Sequence, residues 1–137
     1  MEVATEATKK AKILIIEDDL DFLADMVMFL TRRFLVYTAG NSSEARKIFH
    51  KVHPDCCVID INLPHQLGEE DAVEGLALAG DFEENSEAKP NIIFISRDPL
   101  PAQKQITTKF PFIRKPFHIH QLTETIDKNI YGSNISV

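Results

Sequence analysis

Lys12-Ile-Leu-Ile-Ile-Glu-Asp-Asp-Leu20 is the stretch that decides the fold of this 137-residue chain. It begins with an unbroken run of isoleucine and leucine, which suits a strand buried on both faces. Three acids end the run, and Leu20, Leu23, Val27 and Leu30 then recur at the spacing of one helix face, with Asp18 and Asp19 near the helix start. A strand followed directly by a helix is the elementary unit of an α/β domain.

Outward from that unit the pattern repeats. Phe34 to Thr38 predicts a second, weaker strand, and Asn41 or Ser42 can cap a helix whose apolar face is Ala45, Ile48, Phe49 and Val52. Cys56 to Ile61 predicts a third strand, followed after a loop by a helix using Ala72, Val73, Leu76 and Ala77. Ile92 to Ile95 and the short Phe112 to Arg114 predict the fourth and fifth strands. A closing helix carries Ile119, Leu122, Ile126 and Ile130 and begins near His118. Strands this apolar are expected when helices cover both faces of a parallel sheet, and right-handed crossovers then restrict the topology. The expectation is one doubly wound α/β domain over residues 12–131, with residues 1–11 and 132–137 as short tails.

Composition sets the outer limits. At 44% hydrophobic and 26% charged residues, the chain has room for one core. A net charge of -6 gives no general attraction to nucleic acid or to anionic lipid. The apolar runs fall far short of the ~20 residues that a membrane helix needs. Residues 1–12 lack the apolar segment of a secretory signal, which makes the cytoplasm the expected compartment. Cys56 and Cys57 lie inside the third apolar run and read as small buried hydrophobes.

In such folds ligands bind beyond the carboxyl ends of the strands. Strand one ends in Glu17-Asp18-Asp19, strand three in Asp60, strand four in Ser96 and strand five in Lys115. Clustered carboxylates need a counter-charge or a proton, and an all-oxygen set with room for water suits Mg²⁺ better than zinc. Phosphoryl transfer then fits the remaining groups, because it needs an oxygen nucleophile, charge neutralisation and positioning. Asp60 is the candidate nucleophile, Lys115 the ammonium facing the phosphoryl oxygens, and Ser96 a hydrogen-bond donor to one of them.

The segments Ile-Leu-Ile-Ile-Glu17-Asp18-Asp19, Val58-Ile59-Asp60-Ile61-Asn62-Leu63-Pro64, Ile93-Phe94-Ile95-Ser96 and Phe112-Ile113-Arg114-Lys115-Pro116-Phe117 together resemble the receiver domains of two-component response regulators, the CheY-like superfamily. That resemblance implies a flavodoxin-like five-stranded parallel sheet in the order 2-1-3-4-5. It implies Asp60 as phosphoacceptor and Mg²⁺ held by Glu17, Asp18, Asp60 and the backbone carbonyl of Asn62. It further implies Ser96 and Phe112 as the hydroxyl and aromatic switch residues, Lys115 as the phosphate-pairing lysine, and a cis peptide before Pro116. A sensor histidine kinase or phosphotransfer protein would be the donor and another protein the target. The chain would be no enzyme beyond promoting its own phosphorylation and dephosphorylation.

The sequence also departs from that family. Relatives typically place a glycine sooner after the phosphoacceptor, whereas the matching Gly75 lies fifteen residues beyond Asp60, so an enlarged loop is expected after strand three. Residues 65–88 hold eight acids and no Lys or Arg, a negative surface whose simplest reading is a solvated loop and helix face. Between Ser96 and Lys115 the chain is shortened and carries Pro99, Pro101 and Pro111, which predicts a short or irregular fourth helix. The competing function is a pseudo-receiver that binds proteins independently of phosphorylation. A haloacid-dehalogenase-like phosphatase would carry a second Asp two residues after its nucleophile, where this chain has Asn62. A flavodoxin-like electron carrier would need a Ser/Thr-rich phosphate loop after strand one, which the chain lacks.

Overall fold

Alternation along each strand divides the core in two. Leu14, Ile16, Cys57, Ile59, Ile92 and Phe94 point to one face of the sheet, and Ile13, Ile15, Cys56, Val58, Ile93, Ile95 and Ile113 to the other. Because neither face is polar, each must be covered by helices. The computed structural model describes residues 10–64, 74–84, 89–97 and 110–132. In chain order its elements are β1 (Lys12–Ile16), α1 (Leu20–Leu30), β2 (Leu35–Ala39), α2 (Ser42–Val52), β3 (Cys56–Asp60), α3 (Glu74–Glu84), β4 (Asn91–Ser96), β5 (Phe112–Arg114) and α4 (Ile119–Tyr131). The five strands are parallel in the order β2-β1-β3-β4-β5, with Ile16 beside Ile59 and Asp60 beside Ile95.

Helices α2 and α3 cover the first face through Ala45, Phe49, Leu78, Ala79 and Phe82, and Phe49 stacks on Phe82 with ring centroids 3.9 Å apart. Helices α1 and α4 cover the second through Met26, Leu30, Leu122 and Ile126. Local chemistry starts the helices where the fold needs them. The Asp19 side chain accepts from the N–H groups of Asp21 and Phe22, and Asn41 accepts from that of Glu44. Helix α2 stops at His53, which takes the left-handed conformation and donates its N–H to the Phe49 carbonyl. Among the described residues no helix is long and apolar enough to cross a membrane.

Several readings of the sequence shift, among them Leu20, which is exposed rather than on the buried face of α1, and β4, which gains one residue at each end. β2 starts one residue later than its β-branched pattern suggests, because Phe34 closes the turn after α1 by donating to the Leu30 carbonyl and turns its ring into the core. β3 ends at Asp60 rather than Ile61, although the Ile61 N–H still donates to the Ile95 carbonyl. The buried face of α3 is Gly75, Leu78, Ala79 and Phe82, whereas Ala77 is exposed and Leu76 half-buried. An Ala- and Leu-rich stretch offers two faces of similar apolarity, and the larger Leu78 and Phe82 select between them. Ala72 and Val73, and most of the expected fourth helix, lie outside the described residues.

Candidate functional site

The same alternation that builds the core places the site. Glu17 follows Ile13 and Ile15 on the α1/α4 face, Asp60 follows Cys56 and Val58, and Lys115 follows Ile113, all beyond the carboxyl ends of neighbouring strands. The register that sets Ile16 beside Ile59 brings Glu17 and Asp60 side by side one residue later. Three charged residues separated by up to 98 positions therefore meet: Lys115 Nζ donates to Glu17 Oε1 at 2.6 Å and to Asp60 Oδ2 at 3.0 Å. All three are largely withdrawn from water, with side-chain exposures of 9% for Lys115, 1% for Glu17 and 6% for Asp60.

Main-chain donors fix the other carboxylate oxygens. Asp19 N–H donates to Glu17 Oε2 at 3.0 Å, and Asn62 N–H to Asp60 Oδ1 at 3.0 Å. On the neighbouring strand the buried Ser96 hydroxyl donates to the Asn62 side-chain oxygen at 3.1 Å, while its carbonyl accepts the Lys115 N–H. The Lys115–Pro116 peptide is cis, as the resemblance implies. Phe112 is the exception among the expected site residues. It pairs with Phe94 rather than Ser96 in the register, and packs half-buried against the α2/α3 side of the core.

Charge does not balance in this arrangement. Glu17, Asp18 and Asp60 each offer an oxygen within 4.8 Å of the others, against the one Lys115 ammonium. Two carboxylates at that separation repel by about 3 kcal/mol at an effective dielectric constant of ~20. Burial, and then the Asp60 charge, push Glu17 from 4.5 up to about 7, although Lys115 and the Asp19 N–H pull the other way. Burial also raises Asp60 against the pull of Lys115. For Lys115, burial works against the ammonium, but the hydrogen bond to Glu17 and the charge of Asp60 outweigh it and raise its pKa. Two raised carboxylates beside an exposed Asp18 form an all-oxygen set with unmet demand for positive charge, which fits a small hard cation such as Mg²⁺.

Sequence reasoning missed several contacts that shape this site. Phe22, on the first turn of α1, lies with its ring 4.6 Å from Lys115 Nζ. Asn62, expected to matter through its backbone carbonyl, also accepts the Ser96 hydroxyl on its side-chain oxygen. Glu74 takes the buried Ser42 hydroxyl and lies 3.6 Å from Arg46, which also binds Asp81 at 2.6 Å, so α2 grips α3 both at its start and two turns along. Gly75, next in the chain, donates its N–H to the Ile61 carbonyl at 2.9 Å and rests directly on the backbone of Asp60 and Ile61. The long connection after β3 thus returns to the very residues that carry the phosphoacceptor candidate.

Residues 13–127 match the family described as response regulator receiver domain. Similar solved structures include a CheY-like response regulator receiver domain protein from Methanospirillum hungatei, at 18% identity and TM-score 0.78, covering 94% of this chain and 100% of that one. A response regulator receiver domain protein from Clostridium thermocellum aligns at 21% identity and TM-score 0.76, covering 93% and 99%. The N-terminal domain of an uncharacterized protein from Wolinella succinogenes aligns at 25% identity and TM-score 0.75, covering 93% and 99%.

Proposed function

Because this chain belongs to the response regulator receiver domain family, we propose that it is a phosphorylation switch whose acceptor is Asp60. The observation that carries this reading is the position of the Asp60 carboxylate: buried at the end of β3, 3.0 Å from the Lys115 ammonium and inside the acidic cluster with Glu17 and Asp18. A carboxylate oxygen of Asp60 attacks phosphorus, and the new O–P bond forms as the bond to the donor's leaving group breaks. That donor is a histidine kinase or phosphotransfer protein whose imidazole nitrogen departs. Glu17, Asp18, Asp60 and the Asn62 carbonyl would hold Mg²⁺, which would neutralise charge on the phosphoryl oxygens.

The chain's own residues supply the rest. Lys115, already hydrogen-bonded to Asp60, follows the added charge onto a phosphoryl oxygen. Ser96 exchanges a neutral acceptor, the Asn62 side chain, for a charged one. Its movement alters the end of β4 and with it the surface running from β5 into α4, where a protein target reads the change. Phe112, on β5 and half-buried against the α2/α3 side of the core, would be the aromatic residue that responds. The test is mass spectrometry after incubation with acetyl phosphate and Mg²⁺. One acid-labile phosphoryl group is expected on the original chain and none on Asp60→Asn; equal labelling of both overturns the assignment and favours a scaffold that works without phosphorylation.

A further inference from the structure

The Lys115 ammonium has three N–H donors, and the two carboxylates account for two of them. The ring of Phe22 lies 4.6 Å from Nζ, and Phe22 in turn meets Phe117 in a T-shaped pair with ring centroids 5.4 Å apart and planes at 79°. We infer that Phe22 is a positioning residue for phosphoryl transfer, holding the Lys115 ammonium between Glu17 and Asp60 through the face of its ring. This inference rests on the reading of Asp60 as phosphoacceptor.

The local chain explains why Phe22 is where it is. Asp19 caps α1 and binds the N–H of Phe22 itself at 3.2 Å, so the first helical turn is pinned to the strand end that carries Glu17. Phe117, two residues beyond Lys115, packs against the α1/α4 core and supports the Phe22 ring that lies over the lysine. A cation over an aromatic face is attracted by the ring's quadrupole, and more strongly where water is excluded, as at the 9%-exposed Lys115 side chain. A long, flexible lysine stem has many rotamers, and a ring beside its ammonium reduces those that leave the site. When a phosphoryl group arrives, the ammonium must shift by a small distance toward it, and the ring face permits that shift because its attraction is broad rather than directional.

An aliphatic side chain would fill the space but offer no quadrupole, so Phe22→Leu and Phe22→Tyr separate positioning from packing. In the full chain, with ¹³C-labelled lysine and the Lys115 signal assigned through Lys115→Arg, the ring should shield the methylene next to the Lys115 ammonium. An upfield ¹H shift relative to the exposed lysines is expected, retained in Phe22→Tyr and lost in Phe22→Leu. Labelling by acetyl phosphate and Mg²⁺ should slow by about three- to tenfold in Phe22→Leu, with Phe22→Tyr restoring most of the rate. A Lys115 signal unmoved by Phe22→Leu, or Leu and Tyr variants equally slow, overturns the inference. Failure of the original chain to take up phosphoryl at all strikes instead at the proposed function, while the NMR comparison still decides the contact.

Discussion

Gly75→Ala places one methyl group where the fold has left no room. A Cβ on Gly75 would lie 2.6 Å from the Ile61 Cα and 2.8 Å from the Ile61 carbonyl oxygen, and would also strike the Asp60 carbonyl oxygen. All three atoms are backbone, so no side chain can swing aside, and carbon contacts settle near 3.5–4.0 Å. Helix α3 must therefore retreat by about 1 Å. Overpacking of this kind costs about 1–3 kcal/mol, and retreat also strains the Gly75 to Ile61 hydrogen bond, worth about 1 kcal/mol. Against this stands about 1 kcal/mol of better helix propensity for Ala over Gly. The net expectation is a loss of about 1–3 kcal/mol, or a melting temperature lower by roughly 4–12 °C. Gly80 supplies the control within the same helix: it is exposed, and a Cβ there meets nothing within 4 Å. Gly80→Ala should stabilise by about 0.5–1 kcal/mol. Urea unfolding of the two variants beside the original chain measures the contrast, and equal effects from both substitutions would refute the close approach of α3 to the end of β3.

Other expectations follow from the buried groups. Without metal, folded Glu17 holds a proton up to about pH 7 that the unfolded chain releases near 4.5, so its stabilisation is complete below about 4.5 and is lost as the pH rises through about 7. Between pH 5.5 and 8 the metal-free chain should lose about 2 kcal/mol, with saturating Mg²⁺ flattening the dependence; a urea midpoint that is constant or rises over this range contradicts it. Burial, followed by the Asp55 charge, pushes the Cys56 thiol up to about 12, and burial pushes Cys57 well above its usual value. Both should resist a thiol reagent at pH 8 until the chain is unfolded, and rapid labelling of native protein would show that β3 is less enclosed than described. Phe82→Ala should cost about 3–5 kcal/mol, because Phe82 is fully buried and stacked on Phe49; a loss under about 1 kcal/mol would mean that α3 does not carry that side of the core.

The strands were legible because their signal is local. β1 and β5 fall where the apolar runs predict, β3 differs by a single residue at its end, and β4 by one residue at each end. Glu17, Asp60, Ser96 and Lys115 could be named because each ends such a run, and strand ends converge in any doubly wound sheet. The buried face of α3 was misread for a matching reason: its period is satisfied by more than one set of small apolar residues, and only contact with Phe49 and β3 distinguishes them.

Sequence alone therefore determined the layers, the parallel sheet and the list of charged residues at its edge, since periods of two and of roughly 3.6 residues are written into consecutive side chains. Only the tertiary structure decided what those residues touch. That Lys115 divides its hydrogen bonds between Glu17 and Asp60, that its ammonium lies over the Phe22 ring, and that Ser96 donates to the Asn62 side chain are facts of distance between remote positions. The same holds for Gly75, which the sequence marks only as the counterpart of a glycine in relatives and the fold as the place where α3 meets the backbone of Asp60. Such contacts depend on strand register, helix rotation and side-chain rotamer together, and no local pattern encodes all three.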